Sequence, residues 1–293
     1  MNIAVGSLVW GCELGLVTLS LSLSFAVIGY ANFALIELTG VGAYLALTLP
    51  ESMPLPLAAI AAAAACGVLA VILNATIFRR LGSASVAAKM LVSIAVALVI
   101  RALVQLAWGV QGRFFDVDPR PVTEIGGVLI TRSQIAVVVA TAIALVAFQL
   151  LLHHTRAGRA LRSTAESPTL AEIRGISSQC VITGAWFLAG SLAGLGGILF
   201  GLDTYVQPAM GFSLIVPVFA AAVVGGLGSL SGAVAGAFLL SLFQNLAVNV
   251  DWGGLVGAGT WLIETQYKPA VAMVALVATL LIRPHGLFGR PAP

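Results

Sequence analysis

Long apolar runs separated by short polar stretches dominate this chain. Nine runs stand out, at 4–28, 33–49, 55–77, 86–108, 133–153, 181–202, 212–225, 230–249 and 268–283. A helix needs about 20 apolar residues to cross the hydrocarbon core of a bilayer, and most of these runs reach that length. Those at 33–49 and 212–225 are short. Their apolar residues are continuous rather than alternating with a period of two, which argues against a membrane β-barrel. The pattern predicts an all-α fold: a polytopic bundle of transmembrane helices with about 8–9 spans, some short or broken, forming one domain over residues 1–293. Nine spans put the termini on opposite sides of the membrane, and eight follow if one short segment is re-entrant. The first run has no basic leader, so it reads as a span rather than a cleaved signal peptide.

Two places interrupt the helical pattern. One is Gly29-Tyr30-Ala31-Asn32, followed by the short run from Phe33. The other is Gly225-Gly226-Leu227-Gly228-Ser229. Each leads into a Gly-Ala-aromatic-Leu step, at Gly42 to Leu45 and at Gly236 to Leu239, a faint internal repeat. Broken or short hydrophobic segments in corresponding positions often line a transport path, because unwound backbone survives at membrane depth only where protein or water satisfies it. Glu37 sharpens the first break. A carboxylate inside a span is costly and is a functional candidate by default; the competing reading is a buried Glu that braces a helix end. Arg101 lies deep in the fourth run with Gln105 one turn on, and could meet Glu37 across the bundle. Small residues four apart, such as Gly190 and Gly194, read as close helix packing.

A polar island, Thr155 to Gln179, stands between two apolar runs and carries four Arg and two Glu. Inside it, Glu166 to Ile176 has the grammar of a short helix. Ser167 suits an N-cap, Pro168 the first helical position and Gly175 the position after the last turn. Thr169 and Glu172 offer an alternative capping box. Leu170 and Ile173 share a face. Two turns are too few to be stable alone, so the segment docks either on its own bundle or on a partner.

Composition agrees with the membrane reading. The chain is 60% hydrophobic and only 9% charged, too few charges to coat a water-facing surface. The net charge of +3 is scattered over loops, so no nucleic-acid face is implied. The odd, widely spaced Cys12, Cys66 and Cys180 imply no disulfide framework. One set of loops holds Arg79, Arg80, Arg156, Arg159, Arg162, Arg174, Arg283 and Arg290 with only Glu166 and Glu172 as acids, which makes that side cytoplasmic. The island and the C-terminus fall inside. Trp10, Trp108, Trp252 and Trp261 then gather at the outer interface. Residues 109–132 predict an outer hairpin around Gly126-Gly127, and 250–267 a short interfacial helix. No catalytic set, metal-ligand spacing or phosphate loop is present. Energised transport would therefore need a separate ATPase, whereas a stand-alone ion-coupled secondary transporter would work through intramembrane charges such as Glu37 and Arg101.

The stretches IGYANFALIELTGVGAYLAL, FFDVDPRPVTEIGGVLITRSQ, GRALRSTAESPTLAEIRGISSQCVITGAWFLAGSLAGLGGILFG and PVFAAAVVGGLGSLSGAVAGAFLL follow one another in this order. Together they resemble the permeases of branched-chain amino-acid ABC transporters, and the length resembles the LivH-type subunit rather than its LivM-type partner. The resemblance implies a multi-pass importer subunit in a bacterial inner membrane. It implies as partners a second, LivM-like permease, two cytoplasmic ATPase subunits and a periplasmic solute-binding protein. ATP and Mg would sit in the ATPases, with no cofactor in this chain. Residues 155–180 would be the cytoplasmic coupling loop, with Glu166, Ser167, Pro168, Leu170, Glu172, Ile173 and Gly175 facing the ATPase. Asn32, Phe33 and Glu37 match the family's Asn-Phe-Ala-His-Gly-Glu stretch near the translocation path, and Arg101 joins them as a path candidate on the charge argument above. Leu35 and Ile36 replace the usual His-Gly, making the stretch more apolar. Related systems carry urea, amides, other hydrophobic amino acids and aromatic acids, so the resemblance leaves the solute open.

Overall fold

The computed structural model describes residues 3–49, 53–82, 84–116, 121–125, 128–166, 171, 173, 175, 177–250, 263–283 and 285–289. In chain order the helices are α1 (Ile3–Ile28), α2 (Phe33–Thr48), α3 (Leu55–Thr76), α4 (Val86–Trp108), α5 (Arg132–His154) and α6 (Arg156–Glu166), then α7 (Ser178–Asp203), α8 (Met210–Gly225), α9 (Leu230–Asn249) and α10 (Lys268–Ile282). Among the described residues, seven helices are long and apolar enough to cross a membrane, and α2 and α8 are shorter apolar helices. All nine apolar runs of the sequence are thus helical. The bundle is all-α apart from one antiparallel hairpin, β1 (Pro121–Ile125) with β2 (Val128–Thr131), in which Ile125 pairs with Val128. That is the hairpin expected in the outer loop; its Gly-Gly turn lies outside the described residues.

Local chemistry sets the helix starts. Asn32 caps α2 by accepting from the Ala34 amide at 3.1 Å, and Ser229 caps α9 by accepting from Gly232 at 3.2 Å. Thr131 and Gln134 form a capping box on α5. Each cap satisfies an amide that the first helical turn cannot pair internally, and at membrane depth no water would do so instead. Gly29, Gly226 and Gly228 take positive φ at the two breaks, the conformation that glycine adopts without a Cβ clash.

Packing makes α1 the central post. Of its most apolar stretch 78% is buried, against 6% for α10 at the periphery. α1 lies against α7, α9, α8 and α5, and α7 also packs on α2 and α3. Small residues set these distances. A Cβ on Gly42 would stand 2.6 Å from the Gly194 Cα, so α2 and α7 cross backbone to backbone, as small-residue contacts allow. The far end of α8 is closed by the chain's last described segment: Leu287 and Phe288 donate to the carbonyls of Val224 and Gly225 at 2.9 and 3.1 Å.

The polar island departs from its expected outline. An eleven-residue helix, α6, occupies Arg156–Glu166, where the sequence pattern had offered no helix. Thr155 starts it by accepting from the Gly158 amide at 3.0 Å. Gly158, Leu161 and Thr164 are buried beneath it, and Arg156, Arg159 and Arg162 are exposed. Glu166 is therefore the last residue of α6. Beyond it, Ala171 and Ile173 are helical and Gly175 has φ +77°. Ser167, Pro168, Thr169, Leu170 and Glu172 lie outside the described residues, as does 251–262, most of the segment expected to form an interfacial helix. Thr265–Tyr267 is a single 3-10 turn.

Candidate functional site

The first break is held partway through the membrane. The Phe33 amide donates to Ser93 Oγ at 3.2 Å, and that hydroxyl donates to the Met90 carbonyl at 2.7 Å. Ser93 stands seven residues along α4, about 10 Å from its start at 1.5 Å per residue. So α2 begins inside the bilayer rather than at its edge. Its 16 residues span about 24 Å, short of the roughly 30 Å hydrocarbon core. Further contacts fix the register: Phe33 meets Phe219 of α8 at 5.9 Å between ring centres, and Tyr44 stacks on Trp108 of α4 at 5.4 Å.

Glu37 sits one turn above the break, 2% exposed, with Oε1 unpartnered. Across from it is the first turn of α8. A Cβ on Gly211 would collide with the Glu37 carboxylate and stand 2.7 Å from its Cα. The next residue, Phe212, lies under the Arg101 guanidinium at 4.9 Å. Glu37 and Arg101 therefore flank the dipeptide Gly211-Phe212, and the charge of Arg101 acts on Glu37. No ion pair within 4.0 Å joins them among the described residues. The expected meeting of the two charges is thus an approach rather than a closed salt bridge. Asn32 is fully buried, and its Nδ2 is also without a partner. The structure brings all four path candidates, Asn32, Phe33, Glu37 and Arg101, to one junction of α2, α4 and α8.

Arg101 and Gln105, four residues apart, put two polar side chains on one face of α4 at this junction. Both are half-buried, and Phe212 beside them is 51% exposed. A charged side chain deep in the membrane faces a bundle interior or a water-filled cavity, because hydrocarbon does not solvate it.

Sequence reasoning missed a second intramembrane carboxylate. Glu13 is 3% exposed on α1, with Oε1 unpartnered. The charges of Asp203 and Lys268 act on it. Lys268, at the start of α10, places its ammonium 5.7 Å from the centre of the Trp10 ring. Trp10 donates to Gln244 Oε1 at 2.7 Å, and Gln244 donates in turn to the Lys268 carbonyl at 2.9 Å. Ser241 donates to the Ser7 carbonyl at 2.6 Å. This network ties α1, α9 and α10 together near one end of the bundle. The signal in the sequence was the lone acid of the first run; nothing local to it marked a break.

In the island, Ala171 is 1% exposed and Ile173 is 77% exposed. Of these two helical residues, Ala171 faces inward and Ile173 outward.

Comparison with known proteins sets this architecture among relatives. The family model described as "Branched-chain amino acid transport system / permease component" matches residues 3–282. The chain is 28% identical over 299 residues to the probable branched-chain amino acid transport permease protein LivH of Methanocaldococcus jannaschii, covering 97% of this chain and 91% of that one. It is 28% identical over 307 residues to the high-affinity branched-chain amino acid transport system permease protein BraD of Pseudomonas aeruginosa, covering 98% and 95%. With the LivH permease of Escherichia coli the identity is 31%, over 55% of this chain and 49% of the other. Among solved structures, PsaBC from Streptococcus pneumoniae in complex with Fab shares the fold, with a TM-score of 0.50 at 14% identity over 97% of this chain and 93% of that one.

Proposed function

The chain belongs to the family of branched-chain amino acid transport system permease components, and from that premise we propose that it is one membrane subunit of an ATP-driven ABC importer. Its solutes are branched-chain or other hydrophobic amino acids, or related small polar molecules. The observation that carries the reading is the family match across residues 3–282, which spans every apolar helix of the bundle. The chain is a transport component; ATP and Mg are bound and used by two cytoplasmic ATPase subunits. A second, LivM-like permease completes the path, and a periplasmic solute-binding protein delivers the solute. The complex sits in a bacterial inner membrane with the C-terminus of this chain in the cytoplasm.

Within that reading, Asn32, Phe33, Glu37 and Arg101 line the solute's route. The half-buried Arg101 and Gln105 support this, since a polar face at membrane depth belongs against a partner or water rather than lipid. The segment Glu166 to Gly175 receives force from the ATPase, with Ser167, Pro168, Leu170, Glu172 and Ile173 at the contact. The outward Ile173 supports this, because an exposed apolar side chain on a short polar segment fits a groove on a partner. ATP binding and hydrolysis then shift the path between two states of different solute affinity.

The test is reconstitution of the complex in proteoliposomes with its binding protein. Wild type takes up solute only with ATP. Leu170→Asp with Ile173→Asp leaves the complex assembled but removes solute-stimulated ATP hydrolysis. Coupling that survives the double change defeats the docking assignment. Uptake by the isolated chain, driven by an ion gradient without ATPase subunits, favours a stand-alone secondary carrier instead.

A further inference from the structure

We infer that Glu37 and Arg101 form an open charge clamp for a zwitterionic α-amino acid, Glu37 receiving the ammonium and Arg101 the carboxylate. This rests on the importer reading above and adds the chemistry of its route. Both charges stand at the α2–α4–α8 junction, on either side of Gly211-Phe212. They act on one another without closing an ion pair within 4.0 Å. A buried carboxylate with an unpartnered oxygen is costly to keep inside a membrane, and a direct salt bridge would relieve that cost if the two groups could meet. The missing Cβ of Gly211 lets α8 pack directly against the Glu37 carboxylate. Phe212 holds the guanidinium by its ring face, leaving the guanidinium N–H donors at its edge available to a planar carboxylate. An α-amino acid carries both complementary charges a few bonds apart, so it satisfies the two groups at once. A solute carrying only one charge leaves one member of the clamp unsatisfied. Discrimination built on an unpaired buried polar group is steep.

The experiment is saturation-transfer NMR on the assembled complex in nanodiscs. The probes are L-leucine, L-leucinamide, which lacks the carboxylate, and 4-methylpentanoate, which lacks the ammonium. Wild type binds leucine more tightly than either analogue by about tenfold or more, the scale of one lost charge-assisted hydrogen bond. In Arg101→Gln, leucine and leucinamide bind alike. In Glu37→Gln, leucine and 4-methylpentanoate bind alike. Arg101→Lys keeps the wild-type ranking and controls for folding. Wild-type analogues that bind as tightly as leucine, or variants that weaken all three probes equally, overturn the clamp. A wild-type complex that transports no amino acid in proteoliposomes overturns the amino-acid reading itself, whereas amino-acid uptake with an unaltered ranking in both variants overturns the clamp alone.

Discussion

Glu37 and Glu13 are both nearly inaccessible carboxylates inside helices of the same bundle, yet their surroundings differ in kind. Glu13 sits on α1, an unbroken and largely buried helix. Like Glu37 it has an unpartnered Oε1 and closes no ion pair within 4.0 Å among the described residues, but the cation that acts on it, Lys268, belongs to a set with Trp10 and Gln244 joined by hydrogen bonds and a cation–π contact. Its network ties the loosely held α10 to the centre. Glu37 sits on a helix that starts inside the membrane, beside a second helix start, and its nearest cation stays out of ion-pair reach. The contrast separates two uses of a buried charge. A carboxylate on an unbroken helix, beside a cation already held by neighbouring side chains, is a strut. A carboxylate at a helix break, beside a second helix start, has capacity for a visitor.

The comparison can be broken at either end. Lys268→Met removes the cation that faces Glu13, and leaving a buried charge uncompensated costs about 3 kcal/mol. Thermal unfolding of the solubilised complex should show that loss, and adding Glu13→Gln should recover most of it. A Lys268→Met complex as stable as wild type would mean the network carries no load. Next in size is Gly211→Ala. Its methyl group has to displace Glu37, an overpacking cost of about 2 kcal/mol. Uptake should fall together with stability; full uptake at unchanged stability would show that the close approach of α8 to Glu37 is not required. The smallest effect is Trp10→Phe, which deletes the hydrogen bond to Gln244 while keeping an aromatic face for Lys268. It should cost about 1 kcal/mol and leave uptake unchanged. A loss of uptake there would make the Trp10–Gln244–Lys268 network part of the transport route.

The sequence disclosed the helices well because hydropathy over about 20 residues is a local property, and lipid leaves the backbone few alternatives. It also disclosed Glu37, since the Gly29 to Asn32 break and the carboxylate lie within nine residues of each other in the chain. Glu13 escaped because its partners are remote. Trp10 and Gln244 are 234 positions apart, and an acid in an unbroken apolar run carries no local sign of what it faces. Gly211 and Phe212 were read only as the edge of a short span, because their meaning comes from α2 and α4 folding against them. Helix α6 was missed for a different reason. Gly158 weakens the expectation of a helix, yet the cap at Thr155 and the burial of Leu161 and Thr164 against the bundle override its low propensity. The end of the polar island shows the reverse case: Gly175 takes the positive φ that its place in the sequence predicts, and Ile173 faces outward.

Uptake of L-leucine by the reconstituted, ATP-fuelled complex, measured side by side for Glu37→Gln and Glu13→Gln at matched assembly, tests the division of labour most directly. The account predicts that Glu37→Gln lowers the initial rate by about tenfold or more, while Glu13→Gln transports at close to the wild-type rate with altered thermal stability. Wild-type uptake by Glu37→Gln, or loss of uptake confined to Glu13→Gln, would contradict it.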